Sequence, residues 1–184
     1  MKKVERSEIL DYVTYEEQRA EIRSNAMKAK DLRRIHLGEN LTFLFENIVT
    51  VRYQILEMVR AEKMVKEADI QHEIKTYNEL IGENGEICCT LLVEIADATE
   101  RAEKLAKWVG LPEKIYLKFA DESKAFAQVD ARQNEDEKIS SVQFLKFNCG
   151  SKKPIAIGCE HEAYKNETEL NDTQKIALAE DLSF

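Results

Sequence analysis

The sequence predicts an α+β protein in which helices pack on a mostly antiparallel sheet of about five strands. Short apolar segments that alternate in polarity are interspersed with longer segments whose apolar residues recur at helical spacing. In the second half, the short segments follow one another across brief turns, which favours an antiparallel meander. The predicted order of elements is α-β-α-α-β-α-β-β-β, with the helices packed on the sheet.

The first half of the chain predicts three helices and one strand. A capping-box pattern at Thr14 and Glu17 opens the first helix, and Gly38 lies where a left-handed helix stop belongs. Thr50 and Asp69 are placed to cap the next two helices through their side-chain oxygens. The predicted elements are a helix at 14–35, a strand at 41–45 and helices at 51–68 and 69–80.

The second half of the chain predicts most of the strands. The clearest strand begins after a polar turn, and its alternate residues Ile87, Leu91 and Ile95 share one face. The predicted elements are strands at 87–95, 115–119, 125–129 and 142–147, an edge strand at 155–158, a helix at 97–109 and a final helix ending at 182. The charged segment 130–141 is predicted to be a loop or a mobile flap.

Composition and charge predict a single cytoplasmic domain spanning residues 1–184. The chain is 43% hydrophobic and 34% charged, and its 6 glycines and 2 prolines leave little material for a flexible linker. The net charge of −8 argues against a general nucleic-acid or anionic-membrane partner, because binding phosphate groups needs a positive field. We expect no membrane span and no signal peptide. The 4 cysteines form no Cys-x-x-Cys pair, so reduced thiols are expected.

Glu62 presents a physical problem on the second predicted helix. A helical wheel places it within an apolar face formed by Val51, Ile55, Met58, Val59 and Val65. A carboxylate taken out of water must be paired, hydrogen-bonded, protonated or bound to a cation. Three alternatives remain open: an internal pair with Arg52, Arg23 or Arg19, a helix that ends near Ala61 so that Glu62 reaches solvent, or a ligand or metal site.

Charged residues near the end of the first strand define a candidate ligand pocket. Its members are Glu46, Arg52, Glu57, Arg60, Glu62 and, from the C-terminal part of the chain, His161. In such a pocket arginines orient an anionic ligand and a desolvated glutamate acts as a base. The sequence identifies no catalytic residue, metal centre or cofactor, because Asp69-x-x-His72 and Cys159-x-His161 lack the further ligands a site needs.

Several stretches together resemble a bacterial family, the domains of unknown function 3501. They are residues 41–47, 50–55, 57–62 and 77–81, the later strand at 138–147, and the pattern Gly158-x-x-His161-x-x-Tyr164. The resemblance spans nearly the whole chain, and the first two stretches are its most specific part. Two departures stand out. A histidine is expected where Gln143 stands, and an Asp-His-Pro run is expected at 160–162.

The resemblance implies no agreed activity, but it implies genes that neighbour those of rubrerythrin-like and iron–sulfur proteins. From it we expect a non-catalytic binding or accessory module that acts with a redox or iron–sulfur partner. The alternative is a small-molecule enzyme or metal-binding protein that uses the buried Glu and Arg residues. A third hypothesis, nucleic-acid binding by the basic cluster from Lys28 to Arg34, is less favoured because cations complement the dipole at a helix C-terminus. A homodimer is left open.

Overall fold

The computed structural model of the protein describes residues 2–129 and 137–183. Within these residues the chain forms five α-helices and nine strands. The helices are α1 Tyr12–Asp31, α2 Ile48–Ala61, α3 Glu67–Asn78, α4 Ala98–Lys107 and α5 Asp172–Leu182. The strands are β1 Arg34–Leu37, β2 Leu41–Phe45, β3 Glu86–Val93, β4 Ile115–Phe119, β5 Lys124–Phe126, β6 Gln128–Val129, β7 Val142–Asn148, β8 Pro154–His161 and β9 Tyr164–Glu169.

The strands form two antiparallel sheets, so the predicted α+β class is confirmed. One sheet has the order β1-β2-β3-β7-β6, and the other has the order β5-β4-β8-β9. Their inner faces bury one continuous apolar cluster, to which Phe43 and Leu91 contribute from the first sheet and Leu117 and Ile157 from the second. Burial of this apolar surface is the main stabilising contribution to the two-sheet unit.

Two junctions link the sheets at their edges. The segment 124–129 pairs with β4 through β5 and with β7 through β6, so it passes from one sheet to the other. On the opposite side, the Tyr164 hydroxyl of β9 donates a hydrogen bond of 2.6 Å to the Leu37 carbonyl of β1. Gln174 of α5 donates to the Arg34 carbonyl at 2.7 Å, so side chains occupy the exposed edge of β1.

A second apolar cluster belongs to the helices. Residues from the N-terminal segment and from α1, α2 and α3 form it, including Val4, Tyr15, Ile55, Val59 and Ile74. The helical layer and the two-sheet unit therefore have separate apolar interiors, joined through the start of α2.

The polar loop predicted at 130–141 falls mostly on residues 130–136, which lie outside the described part of the chain.

The structure differs from the sequence-based boundaries at the ends of α1 and α2. α1 ends at Asp31, and the predicted last turn is strand β1, in which Ile35 and Leu37 are buried and Arg34 and His36 are exposed. α2 ends at Ala61 rather than near Ala68.

A Schellman motif ends α2. Lys63 adopts a left-handed conformation with φ 49°, and its N–H donates to the Arg60 carbonyl at 3.2 Å. The Met64 N–H donates to the Val59 carbonyl at 3.0 Å, and the Met64 side chain packs against the helical cluster. Glycine is the usual residue at the left-handed position, which is why sequence reasoning did not place a stop at a lysine.

Candidate functional site

Glu62 is exposed, so the hypothesis of a buried charge at this position is wrong. It is the C-cap residue of α2, one position beyond the last helical residue. Of the three alternatives drawn from the sequence, the structure has the one in which the helix ends at Ala61 and the carboxylate reaches solvent. The ion pair with arginine and the ligand site at Glu62 both required burial.

The buried carboxylate of this region is Glu46, which follows strand β2 and is only 4% exposed. Its Oε2 accepts hydrogen bonds from the Thr50 hydroxyl at 2.5 Å and from Gln54 Nε2 at 3.1 Å. Its Oε1 accepts a longer bond of 3.4 Å from the Thr90 hydroxyl of β3. Neutral donors from α2 and the sheet therefore replace the water that this carboxylate loses on folding.

Glu57 and Arg60 are the two candidates that the structure brings together. Glu57 accepts hydrogen bonds from Arg19 Nε at 2.8 Å and from the Tyr15 hydroxyl at 2.6 Å, and Arg60 lies 3.7 Å away. The hydrogen bond from Arg19 lowers the pKa of Glu57. Burial raises the pKa of Tyr15, and its bond to Glu57 adds to this effect. Arg60 also pairs with Glu16 at 3.4 Å, so these charges connect α1 to α2.

The remaining candidates lie apart from this network. Arg52 Nε donates to the Glu8 carbonyl at 2.8 Å, which ties α2 to the N-terminal segment. His161 ends strand β8 of the other sheet, where Nδ1 accepts from the Ala163 N–H and Nε2 contacts the Val109 carbonyl at 3.2 Å. The His161 ring thus connects the β8–β9 turn, through Ala163, to the turn that follows α4, through Val109. The six candidates do not converge on one pocket.

Cys159 lies close to His161 in sequence but is buried in the cluster between the sheets, where burial raises the pKa of its thiol. Within residues 2–129 and 137–183, no group of three His, Cys, Asp or Glu side chains is placed to hold a metal ion.

The outer surface of the five-stranded sheet presents an apolar patch that the sequence analysis did not single out. Strand register places Leu44, Thr90 and Phe144 in one row and Thr42, Leu92 and Val142 in the next. These side chains point away from the inter-sheet cluster, because their neighbours Phe43, Leu91 and Gln143 point into the interior. Leu44 and Leu92 are half-buried, whereas Val142 is 42% and Phe144 is 43% exposed. We call Leu44, Leu92, Val142 and Phe144 the outer patch.

A hydrogen-bonded chain of polar side chains borders the outer patch. His36 Nδ1 lies 2.9 Å from the Thr42 hydroxyl, which in turn donates to Glu94. A carboxylate only accepts hydrogen bonds and a hydroxyl carries one hydrogen, so His36 Nδ1 must donate to Thr42. The alternation of Arg34 and His36 with Ile35 and Leu37 was the sequence signal for this arrangement.

The outer surface of the four-stranded sheet is occupied by charges that pair with one another. The Tyr116 hydroxyl donates to Glu167 at 2.7 Å, and Lys118 lies 3.5 Å from the same carboxylate. Lys124 contacts Glu160 at 2.5 Å and lies over the Tyr116 ring at 3.9 Å. An open depression of about 580 Å³ lies beside Tyr116, and its walls carry these paired groups.

None of the described helices combines the length and the apolar character needed to cross a bilayer.

Fold and surface together define an α+β protein with two packed antiparallel sheets, a helical layer and an apolar outer patch. The chain belongs to the DUF3501 family, described as proteins of unknown function, whose model matches residues 3–182. The chain is also similar to a protein of unknown function from Burkholderia pseudomallei whose crystal structure is known. That protein is 30% identical, with a TM-score of 0.90 over 98% of this chain and 100% of the other. A search among curated proteins finds none that matches.

Proposed function

We propose that this protein is a non-catalytic binding module that docks a protein partner on the outer patch. The observation that carries the proposal is the exposure of Val142 and Phe144, at 42% and 43%, on the outer face of the five-stranded sheet. On the same face, Cys88 is 5% and Glu46 is 4% exposed. Contiguous exposed apolar side chains with a polar border are characteristic of interaction surfaces.

The size of the outer patch suits a transient complex. Four apolar side chains in two adjacent strand rows provide a core of a few hundred Å², and weak redox and signalling encounters bury less than about 1,200 Å² in total. Polar groups at the border, such as His36 and Glu94, supply the rim that such interfaces commonly have. A small apolar core with a polar rim therefore supports a partner that binds and leaves.

The proposed partner is a redox or iron–sulfur protein, for which this chain acts as an accessory factor in oxidative-stress or electron-transfer chemistry. The gene neighbourhood implied by the family resemblance supports this choice. We place the interaction in the cytoplasm, since the four cysteines are free thiols and reducing compartments maintain that state.

The test measures binding of the purified chain to a purified rubrerythrin-like protein encoded in the same genome. Titration calorimetry should give a micromolar dissociation constant, and Val142→Lys should weaken it more than tenfold because it places a charge on one of the two most exposed apolar positions of the patch. Ile176→Lys is the matched control, because Ile176 is 60% exposed on α5 and lies outside the patch. Equal affinities for Val142→Lys and the original chain would contradict the assigned surface.

A further inference from the structure

We infer that the imidazole of His36 is the polar contact that orients the partner on the outer patch, where its Nε2 accepts a hydrogen bond from the partner. This inference rests on the proposed function and specifies the group that the partner presents at this border, which is an N–H or O–H donor. It also makes docking depend on pH, because a protonated ring cannot accept a hydrogen bond at Nε2.

His36 is exposed and lies in the same row of the five-stranded sheet as two members of the outer patch. Strand register gives this row the order His36, Thr42, Leu92 and Val142. Three strand spacings separate the first and last of these residues, which is roughly 14 Å. Even a small interface, with about 500 Å² on each partner, is roughly 25 Å across. A partner that covers Val142 and Leu92 therefore reaches the imidazole.

The hydrogen bonds around the ring determine which nitrogen carries the lone pair. His36 Nδ1 donates to the Thr42 hydroxyl at 2.9 Å, and this hydroxyl donates to the Glu94 carboxylate. Thr42 is only 4% exposed, so its hydroxyl is held in place by packing. With the hydrogen on Nδ1, the Nε2 atom of a neutral ring is an acceptor. A histidine free in water favours the other tautomer, so Thr42 and Glu94 together impose this one.

The charges near His36 do not select a charged segment of the partner. Arg34 shares the face of His36 and pairs with Asp31 at 3.7 Å, and Lys104 of α4 pairs with Glu100 at 2.8 Å. The selection comes instead from acceptor groups, since Nε2 and the exposed carboxylate of Glu94 both accept hydrogen bonds. A donor from the partner satisfies Nε2, whereas a partner carboxylate would place an oxygen against its lone pair.

Protonation of the ring changes the contact without changing the fold. It turns Nε2 into a donor and leaves the bond from Nδ1 to Thr42 intact. Histidine is the side chain that ordinarily changes charge between about pH 5 and pH 8. The complex should therefore form at the upper end of this range, where the ring is neutral, and weaken towards the lower end.

The first test needs no partner. Nitrogen-15 NMR of the histidine rings at about pH 8 should show an acceptor-type Nε2 at His36. Thr42→Val should return the ring to the tautomer that free histidine favours. His72, which is exposed on α3 in the helical layer, is the reference within the same spectrum. A hydrogen on Nε2 of His36 in the original chain would overturn the inference.

The second test measures docking of the purified rubrerythrin-like protein by calorimetry at about pH 8 and about pH 5.5. The affinity of the original chain should fall roughly tenfold on acidification, because a hydrogen bond is replaced by two opposed donors. His36→Gln should remove this fall, since an amide accepts a hydrogen bond and does not titrate. His36→Lys should weaken docking at both pH values. His72→Gln is the matched control and should keep the pH dependence.

The outcomes separate this inference from the proposed function. If Val142→Lys weakens docking but the original chain and His36→Gln respond to pH alike, the outer patch remains a docking surface and the role of His36 is rejected. If Val142→Lys leaves the affinity unchanged, both proposals are rejected. Tighter docking at low pH that disappears in His36→Gln would mean that the protonated ring donates to the partner, and this result would overturn the inference.

Discussion

Two carboxylates, one in helix α2 and one just before it, are stabilised by different kinds of hydrogen-bond donor. Glu57 is held by the guanidinium of Arg19 and the hydroxyl of Tyr15, so a cation balances its charge. Glu46 is held by Thr50, Gln54 and Thr90, which are all neutral. A cationic partner lowers the pKa of a carboxyl group in the folded state, and this makes the stability of the protein depend on pH. We therefore predict the pH dependence of stability for Glu57.

Glu57→Gln should lower the free energy of unfolding at pH 7 by about 1–3 kcal/mol, because it replaces charge-assisted hydrogen bonds with weaker ones. In the folded protein the pKa of Glu57 is lowered below its ordinary value of 4.5. Its contribution is therefore present in full above pH 4.5 and is lost as the pH falls through the folded pKa. Urea denaturation of both chains from pH 7 down to pH 3 should show the stability difference shrinking below pH 4.5.

Glu67→Gln is the control for this experiment. Hydrogen bonds from Gln71 and Arg6 lower the pKa of Glu67 as well, but both members of its ion pair with Arg6 are well exposed. Solvent screening leaves such pairs with little effect on stability. If the difference in free energy of unfolding between Glu57→Gln and the original chain stays constant from pH 7 to pH 3, the packing of the Glu57 side chain, and not its charge, accounts for the effect.

Gln143 offers a test of an unsatisfied buried group. It is 1% exposed, its Nε2 donates to the Ser140 carbonyl at 3.3 Å, and its Oε1 has no hydrogen-bond partner among residues 2–129 and 137–183. Methionine has a similar volume and no strong acceptor, so Gln143→Met should raise the free energy of unfolding by about 1 kcal/mol. Guanidinium denaturation measures the change. A loss of stability would indicate instead that a bound water or ligand satisfies Oε1.

At the scale of elements, helix α5 is joined to the α1–β1 junction by a buried ion pair. Arg33 Nε and Nη2 donate to the two carboxylate oxygens of Asp181 at 2.7 and 2.9 Å, and these residues are 6% and 5% exposed. Removing one partner leaves the other charge buried without compensation. Asp181→Ala should therefore destabilise the protein by about 3–5 kcal/mol, measured by thermal and chemical denaturation.

The double variant Arg33→Met with Asp181→Leu distinguishes the pair from the packing of α5. Because it removes both charges and fills the same space, it should recover most of the stability that Asp181→Ala loses. If the double variant is as unstable as the single one, the contribution of these residues is mainly their packing against α5.

The elements that could be predicted from sequence are those with a strong local pattern. Strand β3 is an alternating run and α4 begins at an aspartate that caps it, and both were predicted within a few residues. Strands β1 and β9 were missed for physical reasons. β1 follows α1 directly, so helical spacing extended over it, and β9 is a charged edge strand whose backbone pairs with β8. The backbone pairing with β8 defines this strand, and the polarity pattern of its own side chains does not reveal it.

Sites are harder to predict than elements because they depend on convergence in three dimensions. Helical spacing predicted a buried carboxylate at Glu62, with an early helix end as an open alternative, whereas the structure exposes Glu62 and buries Glu46. The difference arises from one backbone conformation at Lys63, which ends the helix before Glu62. Arg19 was named as an internal partner and does form an ion pair, with Glu57. The outer patch depends on strand register across β2, β3 and β7, which no local pattern contains.

The four cysteines report on the stability of the whole molecule. All are free and buried, and they lie on strands of both sheets or next to them. Burial raises the pKa of Cys88 to about 11 and that of Cys149 to about 12, and it raises the pKa of Cys89 and Cys159 as well. The reactive species is the thiolate, so at pH 8 a folded chain presents neither an accessible nor an ionised thiol.

Labelling with an aromatic disulfide reagent at pH 8 should therefore follow the population of unfolded chain, and all four thiols should react at once in guanidinium chloride. Asp181→Ala should raise the native labelling rate roughly a hundredfold or more, since its expected destabilisation multiplies the unfolded population by that factor. A thiol that reacts quickly in the folded chain and is insensitive to Asp181→Ala would reveal local opening of one sheet. Identifying the labelled residue by mass spectrometry would show which sheet opens.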